Sequence, residues 1–284
     1  MGWTIPCSAA DTKITRVFHV VIPARYAATR LPGKPLLPIA NRPLIQWVWE
    51  SACNSGASSV IVATDDERIL QAALKFGADC VMTSPRHASG TDRIAEVAQM
   101  RGLHAGDIIV NLQGDEPLMP PSVIREIAAA LDARPAVDIA TAVAPIESLQ
   151  EFLDPSCVKA LRGLDGRALY FSRAPVPWPR DNVIEGRPAV YGGAWRHIGV
   201  YGYRVRSLLE FAARPPTYLE TTEKLEQLRA LENGMSIHLV ELTEAPPAGV
   251  DTMEDLQRVR EAAARGSRAP SSQEPGLSRN HRTA

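Results

Sequence analysis

Three things are scarce in this sequence of 284 residues: cysteine, aromatic side chains and a surplus of charge of either sign. The four cysteines, Cys7, Cys53, Cys80 and Cys157, lie too far apart for a zinc knuckle or a Cys-x-x-Cys redox pair. So few scattered thiols suit reduced core residues of a cytoplasmic protein. Lys plus Arg number 31 and Asp plus Glu 32, for a formal charge of −1. Without a basic excess, a nucleic-acid coat or a membrane-surface binder is not expected, although a local basic pocket is compatible with it. No apolar run approaches the roughly 20 residues that span a bilayer. The opening MGWTIPCSAADTK lacks a basic n-region and a long apolar stretch, so no secretory leader is expected. Pro6 stands where a myristoylation motif needs Ser or Thr. Also missing are a G-x-G-x-x-G fingerprint, a Walker A loop (Lys34 precedes Pro35), an H-E-x-x-H, an EF-hand loop and a G-x-S-x-G elbow. The six histidines show no metal-ligand spacing.

What is present is an ordinary globular balance, 45% hydrophobic and 22% charged, in a length that fits one large domain or two small ones. Val17 to Ile22 is a nearly continuous apolar run closed by Pro23, the pattern of a strand buried on both faces. Strand and helix patterns then alternate. Strands are expected at 59–63, 80–82, 107–112 and 138–143, and helices at 44–53, 66–76, 91–100 and 121–131. That alternation predicts an α/β fold with a mostly parallel, doubly wound sheet. The second half changes character: 157–161 and 168–171 flank a turn as a hairpin, 175–188 is Pro-rich, 198–203 is strand-like, 219–231 reads as one periodic helix, 237–240 as a strand and 253–263 as a last helix. The expected organisation is a flexible extension over 1–16, one domain over 17–265 with an antiparallel lobe around 157–240, and a disordered tail over 266–284.

Ligands of open α/β sheets bind beyond the carboxyl ends of the strands, so the loops after strands matter most. After the first strand, Pro23 to Pro35 packs Arg25, Arg30 and Lys34 among small residues. Small residues let backbone N–H groups approach a phosphate and the cations neutralise it, so this loop is a candidate phosphate cradle. After the strand at 107–112, Gly114 permits a sharp turn that would place Asp115 at the sheet edge, where a carboxylate suits Mg²⁺. Asp251 stands just before the last helix, and its surroundings leave two readings open, helix cap or second metal ligand.

The stretches VIPARYAATRLPGKPL, IVATDDERI, TSPRHASGTDR, VNLQGDEPLMP, ALYFSRAPVPWPR, RHIGVYGYR, LETTEKLEQLR and GVDTMEDL, in this order over about 17–262, resemble the 3-deoxy-manno-octulosonate (Kdo) cytidylyltransferase family. The resemblance implies transfer of CMP from CTP to the anomeric hydroxyl of Kdo, release of pyrophosphate, a requirement for Mg²⁺ and a homodimer. It implies that Arg25 and Lys34 hold the triphosphate with Arg30 assisting, and that Asp115 and Asp251 are the magnesium ligands. Arg173 becomes a candidate partner for the sugar carboxylate, and His197, Tyr201, Glu226 and Gln227 match sugar-site positions. Ser89 and Gly90, within His87 to Thr91, would approach nucleotide or sugar, as would Gln113. Two alternatives stay open: transfer to another acidic sugar such as amino-Kdo or a sialic acid, and a catalytically silent nucleotide-binding regulator.

Overall fold

The computed structural model describes residues 14–27, 31–178, 180 and 194–266. The apolar run near the start forms β1 (Phe18–Ala24), every residue of which is buried. Val20 and Ile22 point to one side, against Leu44, Val48 and Ile124, while Val21 points to the other, against Ile94 and Leu208. A strand apolar on both faces must be covered on both faces, and helices cover both sides of this sheet. Burying one such aliphatic side chain contributes about 1.5–3 kcal/mol. The strand runs through Pro23, which the sequence reading took as its end. Pro23 aligns with Ala63 in a parallel pairing.

The helices α1 (Leu44–Cys53), α2 (Glu67–Lys75), α3 (Gly90–Met100) and α4 (Pro121–Asp132) alternate with β4 (Ser59–Thr64), β5 (Asp79–Met82) and β6 (Ile108–Asn111) as expected. A small two-stranded ribbon, β2 (Pro38–Ile39) and β3 (Arg42–Pro43), precedes α1. Then follow β7 (Ile139–Pro145), α5 (Leu149–Leu153), β8 (Lys159–Arg162), β9 (Ala168–Ser172), β10 (Ala194–Arg204), α6 (Val205–Ala212), α7 (Tyr218–Glu223), α8 (Gln227–Glu232), β11 (Ile237–Glu241) and α9 (Met253–Gly266).

The main sheet has nine strands in the order β11-β7-β10-β6-β1-β4-β5, with β8 paired to β10 and β9 to β8. The β6, β1, β4 and β5 neighbours are parallel, as are β11 and β7. β10 is antiparallel to β6, β7 and β8. The antiparallel half is therefore continuous with the parallel half through one long strand. Arg204, at the end of β10, is buried and donates to the carbonyls of Leu131, Arg134 and Val137, which closes the carboxyl end of α4.

Three local expectations are corrected. The helix expected over 219–231 is two helices, broken at Lys224, which adopts a left-handed conformation (φ 55°). Cys53 is exposed on α1 rather than in the core, whereas burial pushes the thiols of Cys80 and Cys157 up to about 11. Residues 14–16, expected within a flexible extension, are tied down: Thr15 bonds to the Asp132 carboxylate through its N–H and its hydroxyl, and Arg16 pairs with the same group. Among the described residues, no helix is long and apolar enough to cross a membrane.

Candidate active site

β1 and β6 are parallel neighbours in register, Val21 opposite Asn111, so their carboxyl ends open on the same edge of the sheet. The chain leaving β1 turns back where the Gly33 N–H donates to the Tyr26 carbonyl at 2.9 Å, and a single helical turn, Lys34–Leu36, follows. The chain leaving β6 passes against β1 at Gly114. A Cβ there would stand 2.7 Å from the Pro23 carbonyl oxygen, so the approach needs glycine.

A third segment, remote in sequence, completes the edge. The Val250 N–H donates to the Asp115 carbonyl at 2.8 Å, and a Cβ on Gly249 would lie 2.9 Å from that oxygen. This zipped contact brings Asp251 to Asp115. The Lys34 ammonium donates to Asp115 Oδ2 at 2.7 Å and to Asp251 Oδ1 at 3.1 Å. The lysine side chain is 13% exposed, Asp115 33% and Asp251 51%. Burial pulls the Lys34 pKa down, but the two carboxylates outweigh it and the net shift is upward.

Hydrogen bonds decide against the cap reading of Asp251. Asp255 Oδ2 accepts from the N–H groups of Asp251 and Thr252, and Thr252 Oγ1 accepts from the Asp255 N–H. Thr252 is thus the residue whose side chain caps α9, in a reciprocal arrangement with Asp255. The Asp251 carboxylate is turned to Lys34 instead.

Glu116 was not singled out from sequence. It lies beside this pair, its pKa raised to about 7 by burial and then by the charge of Asp115, against the opposing pull of Arg196. Its position directly after Asp115 was the only signal.

Arg25 lies on the other side of the loop, where its Nη2 donates to the His87 carbonyl at 2.8 Å. Burial and then the nearby Arg93 charge lower its pKa. Arg93 is fully buried and pairs with Asp65 at 2.6 Å, so the TDD and GTDR stretches are tied together underneath Arg25. Ser89 caps α3: its Oγ accepts from the Asp92 N–H and the Asp92 carboxylate takes the Ser89 N–H, each at 3.1 Å. Gly90 packs on the Pro23 ring, with the Gln113 side-chain oxygen Oε1 3.9 Å from where a Cβ would be. Arg30 lies outside the described residues.

The second group of residues gathers across β7 and β10. Their register shifts between Ile198 and Tyr201, a bulge that re-aims the side chains on either side of it. Thr141 Oγ1 donates to the carbonyls of Ile198 and Val200, at 3.1 and 2.8 Å. Its one proton is thereby committed, so its contact with His197 Nε2 at 2.9 Å requires the ring to donate. Burial depresses the His197 pKa to about 3, which makes the imidazole neutral, with its proton on Nε2. The Tyr201 ring lies 5.3 Å from it, and burial, then Tyr203 and Glu226, push the phenol pKa up.

The break at Lys224 delivers Glu226 and Gln227 to this region. Glu226 Oε2 accepts from the Thr91 hydroxyl at 2.6 Å and Oε1 from Arg229 at 2.9 Å. Gln227 is buried and its Nε2 has no partner among the described residues. Arg173 is positioned by backbone: its Nε donates to the Glu223 carbonyl at 2.7 Å and its Nη1 to the Pro155 carbonyl at 2.9 Å.

The structure therefore brings Lys34, Asp115 and Asp251 into direct contact. Arg25, Ser89, Gly90 and Gln113 surround the same sheet edge, and His197, Tyr201, Glu226 and Gln227 gather at the antiparallel strands.

Comparison with known proteins identifies the family. The cytidylyltransferase family profile matches residues 19–237. A 3-deoxy-manno-octulosonate cytidylyltransferase of Pseudomonas fluorescens is 54% identical over 87% of this chain and 98% of its own length. One from Cellvibrio japonicus is 53% identical over 86% and 96%. The solved structure of a CMP:2-keto-3-deoxy-manno-octonic acid synthetase complexed with CTP superposes with a TM-score of 0.80 at 40% identity, covering 88% of this chain and 99% of that one. A cytidylyltransferase of Leptospira borgpetersenii, 17% identical with a TM-score of 0.56, shares the fold.

Proposed function

The chain belongs to the 3-deoxy-manno-octulosonate cytidylyltransferase family, and from that premise we infer that it is a nucleotidyltransferase moving CMP from CTP to the anomeric hydroxyl of Kdo, with release of pyrophosphate. The product is the activated sugar of lipopolysaccharide synthesis. The observation that carries the chemistry is the convergence of Asp115 and Asp251 on one cation beside the loop of Arg25 and Lys34.

We propose Mg²⁺ as the cofactor, held by Asp115 and Asp251. The donor set fits. Two carboxylate oxygens share one cationic position. Mg²⁺ prefers this arrangement, taking one or two carboxylates and completing its octahedron with water and phosphate oxygens. When bound it supplies positive charge to the α-phosphate and lowers the pKa of a neighbouring hydroxyl.

The chain's own residues do the rest. Arg25, held by the His87 carbonyl, and Lys34 bind the triphosphate, and Lys34 stabilises charge on the departing pyrophosphate. Arg30 assists from the same loop. Ser89, Gly90 and Gln113 approach the nucleotide or the sugar from the same sheet edge. Tyr201, a neutral His197 and the Gln227 amide offer hydrogen bonds to a polyhydroxylated sugar, Glu226 holds Thr91 and Arg229 in place, and Arg173 brings a fixed positive charge for the Kdo carboxylate. Aligning the hydroxyl in line with the leaving group accounts for most of the rate in reactions of this kind. We assign no side chain as general base. A cytoplasmic homodimer fits the same reading, and exposed Leu149, Leu153, Leu164 and Leu169 on α5 and the β8–β9 hairpin offer it apolar surface.

The test is pyrophosphate release from CTP with Kdo, amino-Kdo and a sialic acid, each with and without Mg²⁺. Kdo with Mg²⁺ should far exceed every other combination. Faster turnover of another acidic sugar replaces the substrate, and CTP binding without turnover of any of them replaces the enzyme reading with a silent regulator.

A further inference from the structure

Lys34 and a divalent ion would draw on the same two carboxylates. The ammonium lies 2.7 Å from Asp115 Oδ2 and 3.1 Å from Asp251 Oδ1, on a side chain that is 13% exposed, between carboxylates that a magnesium ion would have to approach at about 2.0–2.1 Å. Two more observations bear on the arrangement. The segments that carry the two acids are joined by backbone, through the Val250 N–H on the Asp115 carbonyl, which keeps both carboxylates within reach of one cation. Lys34 stands directly beside the loop of Arg25, on a side chain of four rotatable carbons, so its charge can turn from the carboxylates to a phosphate without movement of the backbone.

We propose that Lys34 is an intramolecular competitor of the metal, so that divalent ion and nucleotide are loaded together. With Lys34 on Asp115 and Asp251, the acidic pair is already neutralised and holds Mg²⁺ weakly. A triphosphate carries about four negative charges and offers the ammonium a better partner. Turning Lys34 to the phosphates uncovers both carboxylates for the metal that the nucleotide brings with it. The same residue thereby weakens the binding of metal alone and strengthens the binding of metal with CTP. This inference rests on the magnesium reading given above.

The experiment measures Mn²⁺, as a paramagnetic stand-in for Mg²⁺, by electron paramagnetic resonance on the full chain, first without nucleotide and then with CTP. Lys34→Gln should tighten Mn²⁺ binding without nucleotide by about tenfold or more, since a unit charge within about 3 Å of both ligands has been removed. It should weaken the affinity for CTP in the presence of Mn²⁺ by about tenfold or more. Lys34→Arg, which keeps the charge, should leave nucleotide-free Mn²⁺ affinity within about threefold of the parent and controls for simple damage to the loop. Unchanged or weaker Mn²⁺ binding in Lys34→Gln, with Asp115→Asn still abolishing binding, overturns the competition while leaving the metal site standing. If Asp115→Asn leaves Mn²⁺ binding intact with and without CTP, the metal reading itself fails. Circular dichroism and thermal melting of each variant establish that it is folded.

Discussion

At the carboxyl ends of β1 and β6 the polar side chains are charged, partly exposed and able to exchange partners: Lys34 is 13% exposed, Asp115 33% and Asp251 51%. Across β7 and β10 they are recessed and their protons have defined places. His197 is neutral, with Nε2 donating to Thr141, whose own proton is taken by the carbonyls of the bulge. The first region suits a polyanion, which needs cations that can move onto it. The second suits a sugar, which is distinguished from its relatives by the direction of a few hydrogen bonds, and misdirected buried donors reject a wrong partner strongly. The two halves of the sheet thus supply charge on one side and direction on the other.

If that contrast is right, the largest loss follows removal of charge at the first region. Asp115→Asn preserves shape, yet pyrophosphate release should fall about a thousandfold while the melting temperature stays near that of the parent. Turnover within a few-fold of the parent would take Asp115 out of the chemistry.

The next effect belongs to the second region and to pH. Burial holds His197 at about 3 and His238 at about 4, so the unfolded chain, with histidines near 6.5, binds more protons than the folded one below that value. These two groups therefore destabilise the fold as pH falls through 6.5. Between pH 7.5 and 5.5 they should together cost about 3 kcal/mol, a loss partly offset by Glu116, whose carboxyl at about 7 takes up a proton in the folded state over the same range. Lys34 adds no slope in this window, because the stabilisation from its raised pKa is fully present below about 10.5 and is lost only as pH rises beyond that. His197→Asn should remove about half of the histidine contribution, read as the difference between parent and variant urea midpoints at the two pH values; an unaltered difference would show that the ring is not buried neutral.

The smallest effect sharpens the division itself. Glu226→Gln weakens the hold on Thr91 and Arg229, and should raise the KM for Kdo about tenfold while leaving that for CTP within about twofold. A larger rise for CTP than for Kdo would move Glu226 to the nucleotide side.

Much of the parallel half was legible from local pattern. Apolar runs at 59–63 and 107–112 and the helices between them appear within a residue or two of their expected places, because a strand buried on both faces and an amphipathic helix each leave a short-range periodicity. The charged loop and its acids were legible as residue types. The antiparallel half was less so. β10 is far longer than its apolar core at 198–203 because its outer end pairs with β8, and pairing is invisible to periodicity. The helices α5 and α6 went unseen, and the pattern at 219–231 concealed a break, since two short helices on one apolar face keep almost the same spacing as one long one.

The sequence by itself determined the parts: which segments are apolar on two faces, which loops carry cations, and which acids stand after turns. Only the tertiary structure decided their use. A Thr252 cap left Asp251 for Lys34, the Val250 N–H on the Asp115 carbonyl joined segments far apart along the chain, and a bulge on β10 gave His197 its tautomer. The reason is range. Propensity and periodicity act over a few residues, whereas a charge pair or the direction of a proton depends on whichever distant backbone packs within about 3 Å of it.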